Sequence, residues 1–235
     1  MNAYKRRKIN MKKIKKVNSY TASLLSICKD KSVLSIGCVG MGNLNEINRQ
    51  INAGTHQLYN LHKICNEVVG LDINEKGVDF LKEKNLNVYK YDVFKDTLPI
   101  IENKKWDILL LSHVIEHVPD IYKFVKTIIE KFKFKKIIIA VPSAYTFGAI
   151  LNIVYGYEDI DASHCYMFTP ASFVILMKSL GIKKKSLMID KTLNLKYKEI
   201  KNKFLRKPII LLLNLIETNL FANCGNIIYV GVYEK

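Results

Sequence analysis

The chain has 235 residues, 49% of them hydrophobic and 10% aromatic, and a formal net charge of +16. That composition excludes global disorder and gives one domain enough apolar material for a proper core. No apolar run approaches the roughly 18–20 residues of a membrane span, and the basic start MNAYKRRKINMKKIKKVNSY lacks the apolar core of a signal peptide.

Cys28, Cys38, Cys65, Cys165 and Cys224 form no CxxC pair. This argues against a zinc site or a disulfide framework, so no metal is expected, and it favours a reducing cytoplasm. Positive charge is densest before residue 17, with a further cluster at 183–185 and a dispersed group over 191–207. A basic arm attracts nucleic acid or an acidic membrane face at long range, although a solvated lysine-rich surface has the same composition. The stacking aromatics that interleave the basic residues of single-strand binders are missing, which makes nucleic acid the weaker partner.

In chain order, residues 1–30 read as a basic, helical N-terminal arm, and 31–235 as the functional domain. SVLSIG (32–37), EVVGLD (67–72), LNVYKYD (86–92), WDILLLS (106–112) and KKIIIAVP (135–142) read as strands, several apolar almost throughout. Helical patterns fall around 56–65, 75–84 and 119–132, and NLNEINRQINAGTHQLYN (43–60) reads as a loop over the ligand edge. Repeated β-α-β order implies an open α/β sheet, doubly wound, with its ligand at the carboxyl ends of the strands.

Beyond the fifth strand, residues 143–168 form a long aromatic segment suited to a lid over the substrate. TPASFVILMKSLG then opens a helix, with Thr169 as N-cap and Pro170 at the first helical position. IKKKSLMI (182–189) reads as a sixth strand, 194–206 as a basic helix and GNIIYVGVYEK (225–235) as a last strand. The apolar run IILLLNLIETNLF after Pro208 suits burial against the sheet; contact with lipid, or with a second copy in a homodimer, is the alternative.

Three strand ends carry chemistry. The first strand breaks into GCVGMG (37–42), a glycine turn that lets backbone N–H groups approach a ligand. Asp72 ends the second strand, where a carboxylate accepts hydrogen bonds from a ribose diol, and Asp92 ends the third, where it can meet an adenine amine. Each doubles as an ordinary loop-capping carboxylate. The fourth strand runs into SHVIEHVPD (112–120).

Together these motifs, with SHCYMFTPASFVILMKSLGI (163–182), resemble the class I S-adenosylmethionine-dependent methyltransferases, in particular the branch with small-molecule and sugar substrates. The resemblance covers about residues 30–190 and implies a Rossmann-like seven-stranded sheet. That sheet is mostly parallel, with the last strand antiparallel between the fifth and sixth. It implies S-adenosyl-L-methionine as cofactor. Gly37, Cys38 and Gly40 would lie at its methionyl and ribose part, and Asp72 at the ribose diol with Ile73 beside the adenine. Asp92 and Val93 would hold the adenine edge, and Ser112 and His113 the floor below the sulfonium.

Two features depart from the family pattern: Ser35 stands where an acid is usual, and Gly40 and Gly42 come one residue later than a GxGxG turn requires. A methyl acceptor oxygen needs a general base, for which His164, in the segment after the fifth strand, is the first candidate, followed by His113 and Asp161. The expected acceptor is a small metabolite or a sugar-containing molecule. An RNA methyltransferase, suggested by the basic arm, and a degenerate, non-catalytic partner protein, suggested by the irregular turn, are the alternatives.

Overall fold

The computed structural model of the protein describes residues 9–40, 42–146, 149, 152–153, 155–190 and 225–233. The expected helix at 194–206 and the apolar run after Pro208 lie outside the described residues.

Strands β1 (Lys15–Val17), β2 (Ser32–Ile36), β3 (Glu67–Asp72), β4 (Val88–Lys90), β5 (Lys105–Ser112), β6 (Lys133–Pro142), β7 (Lys183–Asp190) and β8 (Asn226–Val232) form one sheet in the order β1-β7-β8-β6-β5-β2-β3-β4. Only β8 runs antiparallel to its neighbours, between β6 and β7, as the resemblance implied. The strand count differs by one, eight among the described residues against seven, because residues 15–17 of the arm add an edge strand along Met188–Asp190.

Helices α1 (Tyr20–Cys28), α2 (Leu44–Asn52), α3 (Gln57–Ile64) and α4 (Glu75–Glu83) cover one face. Their Leu24, Ile47, Leu58, Leu61 and Leu81 pack on Val33, Val68, Ile108 and Leu110. The short α5 (Pro99–Glu102), with α6 (Ile121–Lys131) and α7 (Pro170–Ser179), covers the other, where Val125, Ile128 and Phe173 meet Leu34, Leu109, Leu111 and Ile139. Alternate residues of one strand therefore feed two cores, which is why the central strands read as continuous apolar runs. Among the described residues no helix is long and apolar enough to cross a membrane.

Three local expectations need correction. Residues 43–60 are not a loop: Asn43 caps α2 by accepting from the Glu46 N–H at 3.0 Å, and Ile47 and Ile51 bury one face at helical spacing. The third strand stops at Lys90, so Asp92 lies in the loop beyond it. Pro119 also stands outside α6, whose N-cap is Asp120.

Neighbours of β2 diverge: the chain leaves it toward β3 on one side and returns to it from β5 on the other. Such a switch point opens a crevice at the carboxyl ends of the strands. The layer beneath the crevice is tight at Gly70 of β3, where a Cβ would sit 2.5 Å from Cys38 Sγ and 2.9 Å from Val88 Cγ1. Replacement Gly70→Ala is expected to cost about 1–3 kcal/mol by overpacking. Urea unfolding followed by the fluorescence of Trp106, the chain's single tryptophan, measures it.

Candidate active site

The glycine turn leaves β2 through Gly37 (φ +72°) and Gly40 (φ +83°), both in the left-handed region that favours glycine. At Gly37 a side chain is excluded by space as well, since a Cβ would lie 2.4 Å from Val114 Cγ2. The side chains between them, Cys38 and Val39, are buried beneath the turn. A Cβ on Gly77 of α4 would come within 2.3 Å of Val39 Cγ1, much as one on Gly70 would strike Cys38. Burial pushes the Cys38 thiol far above its usual range, so it stays protonated. With both side chains pegged downward, the turn offers its backbone to the crevice.

Asp72 fixes that posture. Its Oδ2 accepts the Val39 N–H at 2.9 Å and its Oδ1 the Asn74 N–H at 2.9 Å. From the other side, buried His56 places Nε2 at 3.3 Å from the Val39 carbonyl oxygen, while Nδ1 accepts the Tyr59 N–H at 3.4 Å as the cap of α3. One nitrogen donates and the other accepts, so the ring is the neutral tautomer with its proton on Nε2. Burial lowers its pKa from the ordinary 6.5, overriding the contact with Val39.

Above the turn lies an open cavity of about 420 Å³. Gly37, Gly40, Asp72, Ile73, Asp92, Val93 and His113 all line it, brought together from the ends of four strands. Tyr91, Phe94, Val114, Val118 and Phe124 complete an apolar wall that the sequence reading did not name. Among the described residues, none that lines it is Lys or Arg. The Asp92 carboxylate accepts the Phe94 N–H at 2.9 Å and pairs with Lys95 at 3.2 Å. The Phe94 bond is the main reason its pKa lies below the ordinary value.

Ser112 and Cys38 are not part of this lining. The Ser112 hydroxyl instead bonds the Tyr20 hydroxyl and accepts from Gln57 Nε2 at 2.9 Å. Tyr20 packs edge-on against the His113 ring, with centroids 5.3 Å apart, and burial raises its phenol to about 12. Residues from α1 and α3 thus back up the floor of the cavity, a contact across the chain that leaves no local signal in the sequence. His113 itself has φ +55°, and its N–H donates to the Ala140 carbonyl at 2.9 Å.

His164 does not line the cavity; its ring lies 4.7 Å, centroid to centroid, from that of His117, which does. Asp161 is exposed and closes a local turn, accepting the Ser163 N–H at 2.9 Å on its carboxylate and the His164 N–H at 2.9 Å on its carbonyl. Among the aromatics of residues 143–168, Tyr166 donates to the Pro119 carbonyl at 2.5 Å and Phe168 is buried, whereas Tyr145, Tyr155 and Tyr157 are exposed. Phe147 lies outside the described residues.

The methyltransferase-domain family matches residues 7–187, most of the chain. Solved structures are similar over nearly the whole length. A SAM-dependent methyltransferase of Archaeoglobus fulgidus shares 19% identity, covers 90% of this chain and 92% of its own, and superposes with a TM-score of 0.55. A Thermotoga maritima protein described as a possible histamine N-methyltransferase shares 14%, with 91% and 87% covered and a TM-score of 0.57. Magnesium protoporphyrin IX methyltransferase of Synechocystis, solved with bound SAH, shares 13%, with 91% and 82% covered and a TM-score of 0.55. No curated protein matches the chain at a comparable level. The chain belongs to the methyltransferase-domain family and is an S-adenosylmethionine-dependent methyltransferase, with S-adenosylmethionine as its cofactor.

The neutral state of His56 sets a pH dependence. Its folded pKa is depressed, so its contribution to stability is complete above pH 6.5 and is lost as pH falls below that value toward the folded pKa. The variant His56→Ala is expected to lose about 0.5–2 kcal/mol at pH 8, as for a missing helix cap. It should also flatten the acid slope, as seen in urea midpoints measured from pH 8 to pH 5.

Proposed function

We propose that the chain transfers the methyl group of S-adenosylmethionine to an oxygen of a small metabolite or sugar-containing acceptor, and that the cavity at the β2 switch point binds both. The observation that carries this reading is the lining of the cavity. It offers two carboxylates, Asp72 and Asp92, an apolar wall and two histidines, and among the described residues no Lys or Arg lines it. A phosphate-bearing cofactor would face the Asp72 and Asp92 carboxylates, with Lys95 already paired to Asp92, whereas a cofactor with a sulfonium and no phosphate fits. The volume falls within the roughly 300–1,000 Å³ of small-ligand sites.

Bound in this site, S-adenosylmethionine supplies a methyl group already activated for displacement. The residues of the chain then hold and orient. Asp72 retains lone pairs beyond its two amide bonds and accepts the ribose hydroxyls. Asp92 with the Val93 backbone holds the adenine edge, and Ile73 and Phe94 flank the ring. The backbone of residues 37–40 approaches the methionyl part. His113, on the floor, takes the proton of the acceptor hydroxyl, and the wall formed by Val114, Val118 and Phe124 excludes water.

The distribution of charge supports a small acceptor over RNA. Among the described residues, Lys105, Lys133, Lys135, Lys136 and Lys183–Lys185 gather where β5, β6 and β7 begin, the sheet edge opposite the cavity. A polyanion drawn there would be held away from the methyl group.

Calorimetry tests the reading. The wild type is expected to bind S-adenosylhomocysteine with micromolar affinity and to ignore NAD. Asp72→Asn, which sets an amide N–H against that of Val39 or of Asn74, should weaken binding about 10–100-fold, or roughly 1.4–2.8 kcal/mol. Absence of binding by the folded wild type would overturn the proposal and leave the non-catalytic partner protein as the reading.

A further inference from the structure

Glu116 is 0% exposed, and neither of its carboxylate oxygens has a hydrogen-bond partner. The nearest cation-forming group is His113, whose Nδ1 lies 3.3 Å from Oε1 but without hydrogen-bond geometry. Even a well-aligned imidazolium there would satisfy one oxygen and leave the other bare. A carboxylate is kept inside a protein when something positive compensates it.

Two histidines stand beside it. One ligating atom from each of Glu116, His117 and His164 falls within 4.8 Å of the others. Ligands around a tetrahedral ion with bonds of about 2.0–2.2 Å stand roughly 3.4 Å apart, so small side-chain rotations close the set. The backbone already brings the two segments together. The Cys165 N–H donates to the Glu116 carbonyl at 2.7 Å, and His117 Nδ1 lies 3.1 Å from the Ser163 carbonyl oxygen. That carbonyl places the His117 proton on Nδ1 and leaves Nε2 as a free ligand, the support common behind metal-bound histidines.

We infer that Glu116, His117 and His164 hold a divalent transition-metal ion in the wall of the cavity. Two imidazoles and a carboxylate suit zinc, manganese, iron or cobalt over magnesium and calcium, which prefer oxygen alone. Three protein ligands leave coordination positions open, the pattern of catalytic rather than structural centres. Because His117 also lines the cavity, an acceptor oxygen can complete the coordination. This role rests on the methyltransferase reading and narrows the acceptor to hydroxyl or phenol compounds. The ion lowers the pKa of the bound O–H, and its proton leaves to a base. An oxygen lone pair then forms the new C–O bond as the methyl–sulfur bond breaks, its electrons staying on sulfur as a neutral thioether. The cysteine spacings that argued against a zinc site do not bear on this set, which uses histidine and glutamate.

The test is a titration of the chelator-stripped full chain with Zn²⁺ and with Co²⁺, whose visible absorption reports its ligands. One equivalent is expected to bind, and Glu116→Gln and His164→Ala should each weaken it about 10–100-fold. Trp106 fluorescence verifies that the variants fold; should Glu116→Gln unfold, half-buried His164 carries the comparison. Failure of the wild type to bind a stoichiometric ion, or equal binding by folded variants, overturns the centre. S-adenosylhomocysteine affinity in the same stripped samples separates the two readings. Cofactor binding without metal removes the centre alone, and metal binding without cofactor removes the transferase reading alone.

Discussion

The Asp72 carboxylate joins the segments that leave two neighbouring strands, beyond the last ladder bond from the Gly37 N–H to the Leu71 carbonyl at 2.8 Å. One oxygen holds the turn after β2 through the Val39 amide, and the other holds the loop after β3 through Asn74. A carboxylate accepting backbone N–H bonds is a strong, directional clamp, and here it sets the depth of the crevice between the strands. The turn needs this clamp because its own glycines give it freedom. Cys38 and Val39 supply the second restraint by entering the spaces left by Gly70 and Gly77. Two hydrophobic pegs and one ionic clamp make a rigid backbone cradle without GxGxG spacing. What counts is positive φ where the chain reverses, and Gly37 and Gly40 provide it.

The same construction separates charge. Parallel strands put all their beginnings on one edge and all their ends on the other, and this chain distributes its ionic residues accordingly. Lysines mark the starts of β5, β6 and β7, while Asp72 ends β3 and Asp92 and Glu116 follow the ends of β4 and β5. The acidic end suits a ligand carrying a sulfonium, and among the described residues the lysine in ion-pair contact with a lining carboxylate there, Lys95, is paired with Asp92. A net charge of +16 therefore says little about the cavity.

Much of this order was legible in the sequence because it is written in local pattern. Several central strands read as apolar runs since both faces are covered, and the carboxyl ends of the parallel strands fall at one edge by topology alone. β1 was not legible: Lys15–Val17 is short and mostly exposed, and its backbone bonds to β7 need no side-chain signature. α2 was hidden by asparagines, which are poor helix formers, although Ile47 and Ile51 bury its face. The direction of Cys38 could not be read either, because alternation along a strand ends where the turn begins. Contacts such as Tyr20 with Ser112, or His117 with Ser163, join distant segments, and only folding reveals them.

The segment HVIEHV concentrates what the fold does not require for its own stability. His113 holds φ +55°, outside the region an L-residue prefers, and the 3₁₀ turn Ile115–His117 that follows carries Glu116 into the interior. A buried carboxylate without full compensation costs several kcal/mol, and an apolar residue beside Ile115 would avoid that cost. The strained histidine is nevertheless anchored by the Ala140 carbonyl below and by the Tyr20 ring beside it. The turn faces His117 to the cavity, and the chain beyond the fifth sheet strand of the motif order returns to place His164 against it. Strain and burial of this kind, over-determined by neighbours and gathered where strand ends meet, mark the segment as one shaped by chemistry rather than by packing.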